Sequence, residues 1–237
     1  MTRSNNARLA GFTFLFYIAV GITQMVLSSG TGAEGTAAKL ALIAQHALQV
    51  RVNVILSLLT CVTALALAVA LYGLTRDEDR DLAMLALSFR IGEGLLGAIA
   101  PIASLGLLWL ATNGAGLGAP DAAATNALGS LLLKVRGWNT NISATLFALG
   151  STIFCWLLLR GRMIPVPLAW LGVAASVLLV VGLPMELAGF LAGPATQLMW
   201  IPMAAFEVPL GVWLLIKGAR APLLPHATAS TEQSTAG

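Results

Sequence analysis

Three ionisable residues lie inside long apolar segments of this chain and are its best candidates for chemistry. Arg90 and Glu93 are three positions apart in one segment, and Glu207 lies in another. An ionisable group within a membrane-spanning segment is costly unless it is paired or faces water. The three residues therefore predict either a buried ion pair that fixes helix packing or the floor of a polar cavity.

The segment around Arg90 carries its polar and small residues on one helix face. These residues recur at helical spacing: Arg90, Glu93, Gly94, Gly97 and Pro101. Small residues let helices approach closely in lipid, so this face should point into a bundle. Counting about 1.5 Å per residue from the segment ends places Glu93 and Glu207 at the same depth. We expect Arg90 to pair with at least one of these carboxylates.

Four further polar residues, nearer the outer ends of their segments, complete the predicted site: Gln24, Asn139, Asn141 and Glu186. In one interpretation they form the upper wall of a cavity whose floor is made by the three charges. In the other, the amides are interfacial caps and the charges are a packing device.

The sequence gives little support to an enzyme. Its two histidines, His46 and His226, lie outside the apolar segments, which argues against an intramembrane histidine-dependent nucleophile or an HExxH zinc site. Paired carboxylates could perform acid–base chemistry, but Arg90 would neutralise one of them. We expect no catalytic residue, no metal and no cofactor, and keep an intramembrane enzyme as an alternative.

The composition identifies an integral membrane protein. The 237 residues are 58% hydrophobic and only 10% charged, against about 25% charged in soluble domains. The mean hydropathy is +0.87. Membrane lipids are therefore expected partners. Nucleic acid is excluded, because the basic residues lie in short connections and form no soluble basic face.

Six segments reach the spanning length of about 17–25 residues, which predicts an all-α bundle of six transmembrane helices. They cover roughly residues 9–28, 52–74, 82–111, 142–159, 167–190 and 198–216. Residues 1–219 form one domain in this prediction, and the Ser- and Thr-rich residues 220–237 form a disordered cytoplasmic tail.

A short amphipathic helix is predicted on the outer surface at Thr36–Arg51. Leu40 and Ile43 recur on one face, with Lys39 and His46 on another. Such a helix could be a lid over an outward cavity or could merely seal the bundle.

The distribution of basic residues predicts the orientation. Eight of the thirteen Lys and Arg residues fall at one set of span ends and four at the other. The richer side is cytoplasmic by the positive-inside rule. Both termini are therefore expected in the cytoplasm of a bacterial inner-membrane, multi-pass protein.

The chain resembles the bacterial membrane family called domain of unknown function 4386. The resemblance rests on Arg8-Leu-Ala-Gly11, Leu71-Tyr-Gly-Leu-Thr-Arg76, Phe89-Arg90 with Glu93, and Glu207 followed by Trp213-Leu-Leu-Ile-Lys217-Gly218. It implies a polytopic inner-membrane protein and supplies no role for the charged residues. From the residues themselves we expect binding or movement of a small or lipid-like molecule. The alternative is a structural or sensory subunit without a ligand.

Overall fold

In the computed structural model, which describes residues 3–29, 34–113 and 121–219, the chain is all α-helical. Its helices, in chain order, are α1 (Arg3–Ser29), α2 (Thr36–Gln45), α3 (Ala47–Thr75), α4 (Arg80–Asn113), α5 (Ala122–Arg160), α6 (Val166–Leu187), α7 (Ala195–Leu198) and α8 (Ile201–Ile216). Residues 114–120, which follow the third predicted span, and the predicted tail at 220–237 lie outside the described residues.

Six helical segments are long and apolar enough to cross a membrane, which confirms the predicted fold class. Five of them are single helices, and the sixth, Ala195–Ile216, combines α7 and α8. Their outer surfaces carry large apolar side chains that are more than half exposed, for example Phe12, Ile55, Ile102 and Val181. Such a surface is stable against lipid, where helices satisfy their own backbone groups. The chain is therefore a multi-pass helical bundle.

Helix α5 is much longer than the predicted span at 142–159. It begins at Ala122 and runs for 39 residues, roughly 58 Å at the α-helical rise. The Asp121 side chain caps its start by accepting a hydrogen bond from the Ala124 amide at 2.7 Å. The region predicted as an outer connection is thus largely helix, because hydropathy marks only the part of a helix that is apolar.

The fifth span is shorter than predicted and ends at Leu187 instead of residue 190. Gly189 follows with φ of 82°, a left-handed conformation that typically ends a helix and that glycine adopts without strain.

The predicted amphipathic helix at Thr36–Arg51 is present but is divided at His46. Its first part is α2, and its second part continues into α3 from Ala47. Leu40 and Ile43 of α2 form an apolar cluster with Leu107, Leu108 and Leu110 of α4. The end of the bundle formed by α2, the last turns of α4 and the first turns of α5 is called the cap end.

The opposite end of the bundle is held together by ion pairs between the end of α5 and the turn that joins α3 to α4. Arg160, at the end of α5, lies 3.2 Å from Glu78 and 3.5 Å from Asp79, which belong to the α3–α4 turn. The start of α1 is at the same end, since Gly73 contacts Asn6. The end of α8 is there too, since Gly218 lies beside Ala7. This is called the charged end, and it holds both ends of the described chain.

Candidate functional site

Arg90 is buried inside the bundle and forms an ion pair with Glu93 of the same helix. Its exposed fraction is 1%, and that of Glu93 is 5%. Arg90 Nη1 lies 2.8 Å from Glu93 Oε2, although neither atom has a well-aligned hydrogen bond within the described part of the chain. The interaction is therefore mainly a contact of opposite charges across one helical turn.

Helix α5 encloses the Arg90 side chain. The guanidinium carbon lies 4.7 Å from the centre of the Phe147 ring, a cation–π geometry. Gly150 makes room for the aliphatic stem, because an added β-carbon would lie 2.9 Å from Arg90 Cγ and 3.1 Å from the Ala86 carbonyl oxygen. Arg90 is thus fixed by an aromatic ring on one side and a glycine on another.

Helices α1 and α5 both reach Glu93. The Tyr17 hydroxyl of α1 donates to Glu93 Oε1 over a long 3.4 Å. Ser143 of α5 donates to the Glu93 backbone carbonyl at 3.1 Å. Three helices therefore meet at this residue, which lies at the centre of the bundle.

Glu207 of α8 is the other intramembrane carboxylate, and it is half-buried. It is close enough to Arg90 and Glu93 to interact with both electrostatically. No hydrogen bond or ion pair to it is found among residues 3–29, 34–113 and 121–219, in contrast to Glu93. Since Arg90 neutralises one carboxylate, the second gives the group a net negative charge when both are ionised.

Polar side chains from neighbouring helices donate hydrogen bonds to backbone carbonyls of α4 before Pro101. Cys61 of α3 donates to the Gly94 carbonyl, and Asn139 of α5 donates to the Leu96 carbonyl, both at 3.0 Å. A proline has no backbone N–H, so Pro101 leaves the carbonyl of Gly97, four positions earlier, without a helical partner. The neighbours bond the adjacent carbonyls instead and anchor α3 and α5 to α4.

A cavity of about 320 Å³ opens beside these residues. Its polar lining includes Tyr17, Gln24, Cys61, Glu93, Asn139 and Glu207. Gly97 lines it as well, and a β-carbon there would have no neighbour within 4 Å. It is called the inner cavity.

A second cavity, of about 720 Å³, lies at the cap end and is called the outer cavity. Its lining includes Lys39 of α2, His46 between α2 and α3, and Arg136 of α5. The two cavities share the lining residues Gln24, Ser57, Ala100 and Thr140. They therefore adjoin at these four residues, and the route from the cap end through both cavities to Glu93 and Glu207 is called the passage.

Gln24 is held at the junction of the cavities by α3. Its amide nitrogen donates to Ser57 Oγ at 2.8 Å, and its carbonyl oxygen accepts from Thr60 at 3.2 Å. The junction is thus bordered by a fixed amide rather than by a freely rotating side chain.

The structure brings five of the predicted residues together at the passage: Arg90, Glu93, Glu207, Gln24 and Asn139. Arg90 lies behind the wall, and the other four line the inner cavity. Glu186 lines neither cavity, because it lies in the last turn of α6. Asn141 also lines neither, since two residues rotate a helix by about 200° and direct it away from the face of Asn139.

Several lining residues were not among the predicted site residues. Tyr17 lies seven positions before Gln24, and this helical spacing on α1 was the available signal. Cys61 reads in sequence as a buried hydrophobe, as Cys155 is, but it is only half-buried and lines the inner cavity. Trp200 had no signal, because it lies at the break between α7 and α8.

Comparison with known proteins gives a family and no characterised relative. A family model described as Domain of unknown function (DUF4386) matches residues 9–218, a range that contains both cavities. No curated protein and no solved structure matches the chain.

Proposed function

Because the chain belongs to the DUF4386 family, whose description assigns no activity, we propose a function from the site itself. The protein binds or moves a small or lipid-like molecule through the joined inner and outer cavities. Its setting is a bacterial inner membrane, with the charged end in the cytoplasm.

The observation that carries this proposal is that the two cavities adjoin. They share four lining residues and reach from the cap end to the two intramembrane carboxylates. Their volumes, about 320 and 720 Å³, fall within the usual range of ligand sites, about 300–1,000 Å³. A bundle that needed the charges only for packing would have no use for a polar passage to them.

The Lys and Arg distribution supports an outward opening. The basic residues concentrate at the charged end, including Arg76, Arg80, Arg160 and Arg162, which is typical of the cytoplasmic side. The cap end would then face the outside of the cell, and a ligand would enter from there.

A structural role is the second candidate function, and one observation favours it for Arg90. This side chain is enclosed by Phe147, Gly150 and Glu93 and does not line either cavity. Arg90 would then hold Glu93 in place, while Glu93 and Glu207 contact the ligand. The structural alternative for the whole protein requires instead that the passage stays dry.

The native cysteines provide a direct test of a wet passage. Cys61 lines the inner cavity and is half-buried, whereas Cys155 is 3% exposed. In a Cys155→Ala variant, a membrane-impermeant thiol reagent added to the outer face of spheroplasts should modify Cys61. Thiol modification proceeds through the thiolate, which needs water around the sulfur.

Two variants that also lack Cys61 serve as controls. Glu34→Cys places a thiol at an exposed position of the cap end, and Leu179→Cys places one at a fully buried position. Modification of Cys61 and Glu34→Cys, but not of Leu179→Cys, would support the proposal. Modification of Glu34→Cys alone would show that the passage is closed and would overturn it in favour of the structural role.

A further inference from the structure

The two cavities carry opposite charge. The outer cavity is lined by Lys39 and Arg136, and also by His46, and none of its described lining residues is an Asp or Glu. The inner cavity is lined by Glu93 and Glu207, and Arg90, which pairs directly with Glu93, is one cation beside two carboxylates. A ligand that fills both cavities therefore meets cations at one end and, when both carboxylates are ionised, a net negative charge at the other.

The wall of the inner cavity suits a positively charged group with an apolar attachment. Two aromatic side chains, Tyr17 and Trp200, line it together with Ala64 and Ala144, and a third, Phe147, also lines it but already faces the Arg90 guanidinium. The rings of Phe147 and Trp200 lie 6.2 Å apart, centre to centre. Aromatic rings next to a carboxylate are a recurrent environment for ammonium groups. Glu207 supplies the carboxylate without a partner among the described residues.

Helix α5 gives the separation of the two charged regions. Ser143 marks the depth of Glu93, because it bonds the Glu93 carbonyl. Arg136 lies seven residues closer to the cap end, roughly 10 Å along the helix. The space between them is bordered by small residues such as Gly97 and Ala100, so a hydrocarbon chain could connect the two regions.

We propose that the joined cavities bind a zwitterionic amphiphile. Its ammonium group lies beside Glu207 in the inner cavity, and its carboxylate or phosphate group lies beside Lys39 and Arg136 in the outer cavity. This inference rests on the proposed function and adds the chemical class of the ligand. A purely cationic ligand would be repelled at the outer cavity, and a purely anionic one would be repelled by Glu207.

The experiment uses three probes of equal chain length on the purified, detergent-solubilised Cys155→Ala protein. They are ω-aminooctanoate, octylamine and octanoate, which carry both charges, only the cation and only the anion. Binding is measured as protection of Cys61 from a small uncharged maleimide. The proposal expects ω-aminooctanoate to protect at concentrations roughly tenfold or more below those of the other two, because it alone makes both charged contacts.

Two charge-neutralising variants assign the ends of the ligand. Glu207→Gln should weaken protection by ω-aminooctanoate and octylamine roughly tenfold and leave octanoate unaffected or improved. Lys39→Gln combined with Arg136→Gln should weaken protection by ω-aminooctanoate and octanoate, and not by octylamine. Glu186→Gln and Lys134→Gln, at residues that line neither cavity, should change nothing. The proposal is supported if each variant weakens protection only by the probes whose charge is opposite to that of the residue removed.

Three results would overturn this ligand class while leaving the proposed function standing, provided Cys61 is reactive without a probe. One is equal protection by all three probes, and another is strongest protection by octylamine or octanoate. The third is no protection by any probe. An unreactive Cys61 would instead count against the passage itself, so the two failures are distinguishable.

Discussion

Arg90 and Glu93 differ from the surface ion pairs of this protein in what surrounds them. Arg160 also pairs with carboxylates, yet half of its side chain is exposed to solvent, so that contact is worth at most about 1 kcal/mol. Arg90 has no such access to water. Arg90 stabilises the protein less through its attraction to Glu93 than by preventing Glu93 from remaining charged and unpaired inside the bundle.

Replacing Arg90 by Ala should therefore destabilise the protein strongly. Removing one partner of a buried pair typically costs about 3–5 kcal/mol, whereas Arg80→Ala removes an exposed charge at the charged end and should cost much less. Folded yield and thermal unfolding in detergent would measure the difference. The double variant Arg90→Leu with Glu93→Leu should recover part of the loss, because Glu93 is then no longer left charged without its partner.

Equal yields for Arg90→Ala and Arg80→Ala would contradict this account. They would mean that Arg90 reaches the membrane interface and needs no partner.

For individual residues, the sequence could predict those contacts and depths that depend only on position along a helix. Arg90 and Glu93 are three residues apart, so their proximity follows from helix geometry. The shared depth of Glu93 and Glu207 follows from counting residues between the ends of two spans. The contact of Tyr17 with Glu93 does not follow, because it depends on how α1 is rotated about its axis against α4.

Between elements, glycine governs how closely the first and last helices pack. Gly11 of α1 faces the backbone of α8, and an added β-carbon would lie 2.7 Å from the Gly211 carbonyl oxygen and against the Leu215 amide. Gly211 in turn faces Leu15, with a distance of 3.0 Å from its would-be β-carbon to the side chain. Close approach through small residues is a common way for helices to associate in lipid.

Gly11→Ala should push α1 and α8 apart, because helix backbone cannot yield as a flexible side chain can. We expect a destabilisation of about 1–3 kcal/mol in thermal unfolding. The matched control is Gly21→Ala on the same helix, where an added β-carbon has no neighbour within 4 Å. That change should be neutral or stabilising by up to about 1 kcal/mol. A Gly11→Ala protein as stable as Gly21→Ala would show that the two helices are not tightly packed.

Sequence analysis missed two features of the helices, each for its own physical reason. The first turns of α5 contain Ala-rich sequence followed by Lys134 and Arg136, so a hydropathy criterion sees a connection where the chain is helical. The Asp121 cap and the alanines that follow it were the usable signal. The division of the outer helix at His46 depends on packing of α2 against α4, which no local pattern specifies.

For the whole molecule, the arrangement of ends leads to a prediction about topology. Both ends of the described chain lie at the charged end, where basic residues are concentrated, so the positive-inside rule predicts that both are in the cytoplasm. A reporter enzyme fused after Gly218 should be active only if it works in the cytoplasm. A reporter inserted between Asn113 and Ala122 should behave as periplasmic.

The two fusions control for each other, because they sit at opposite ends of the bundle. Activity of the opposite kind at both sites would invert the topology and make the outer cavity open to the cytoplasm. Activity of the same kind at both sites would contradict the six-span arrangement.

The length of α5 has a practical consequence for imaging this small protein. The helix runs roughly 58 Å, about twice the thickness of the hydrocarbon layer, and its first turns pack against α2 through Gly129. Most of the remaining mass would be hidden in a detergent micelle or nanodisc, which gives particle images few features to align. By this length, the first turns of α5 and the helix α2 packed on them would extend beyond a bilayer. An antibody fragment raised against these two helices would then serve as a fiducial for cryo-electron microscopy and would leave the inner cavity free.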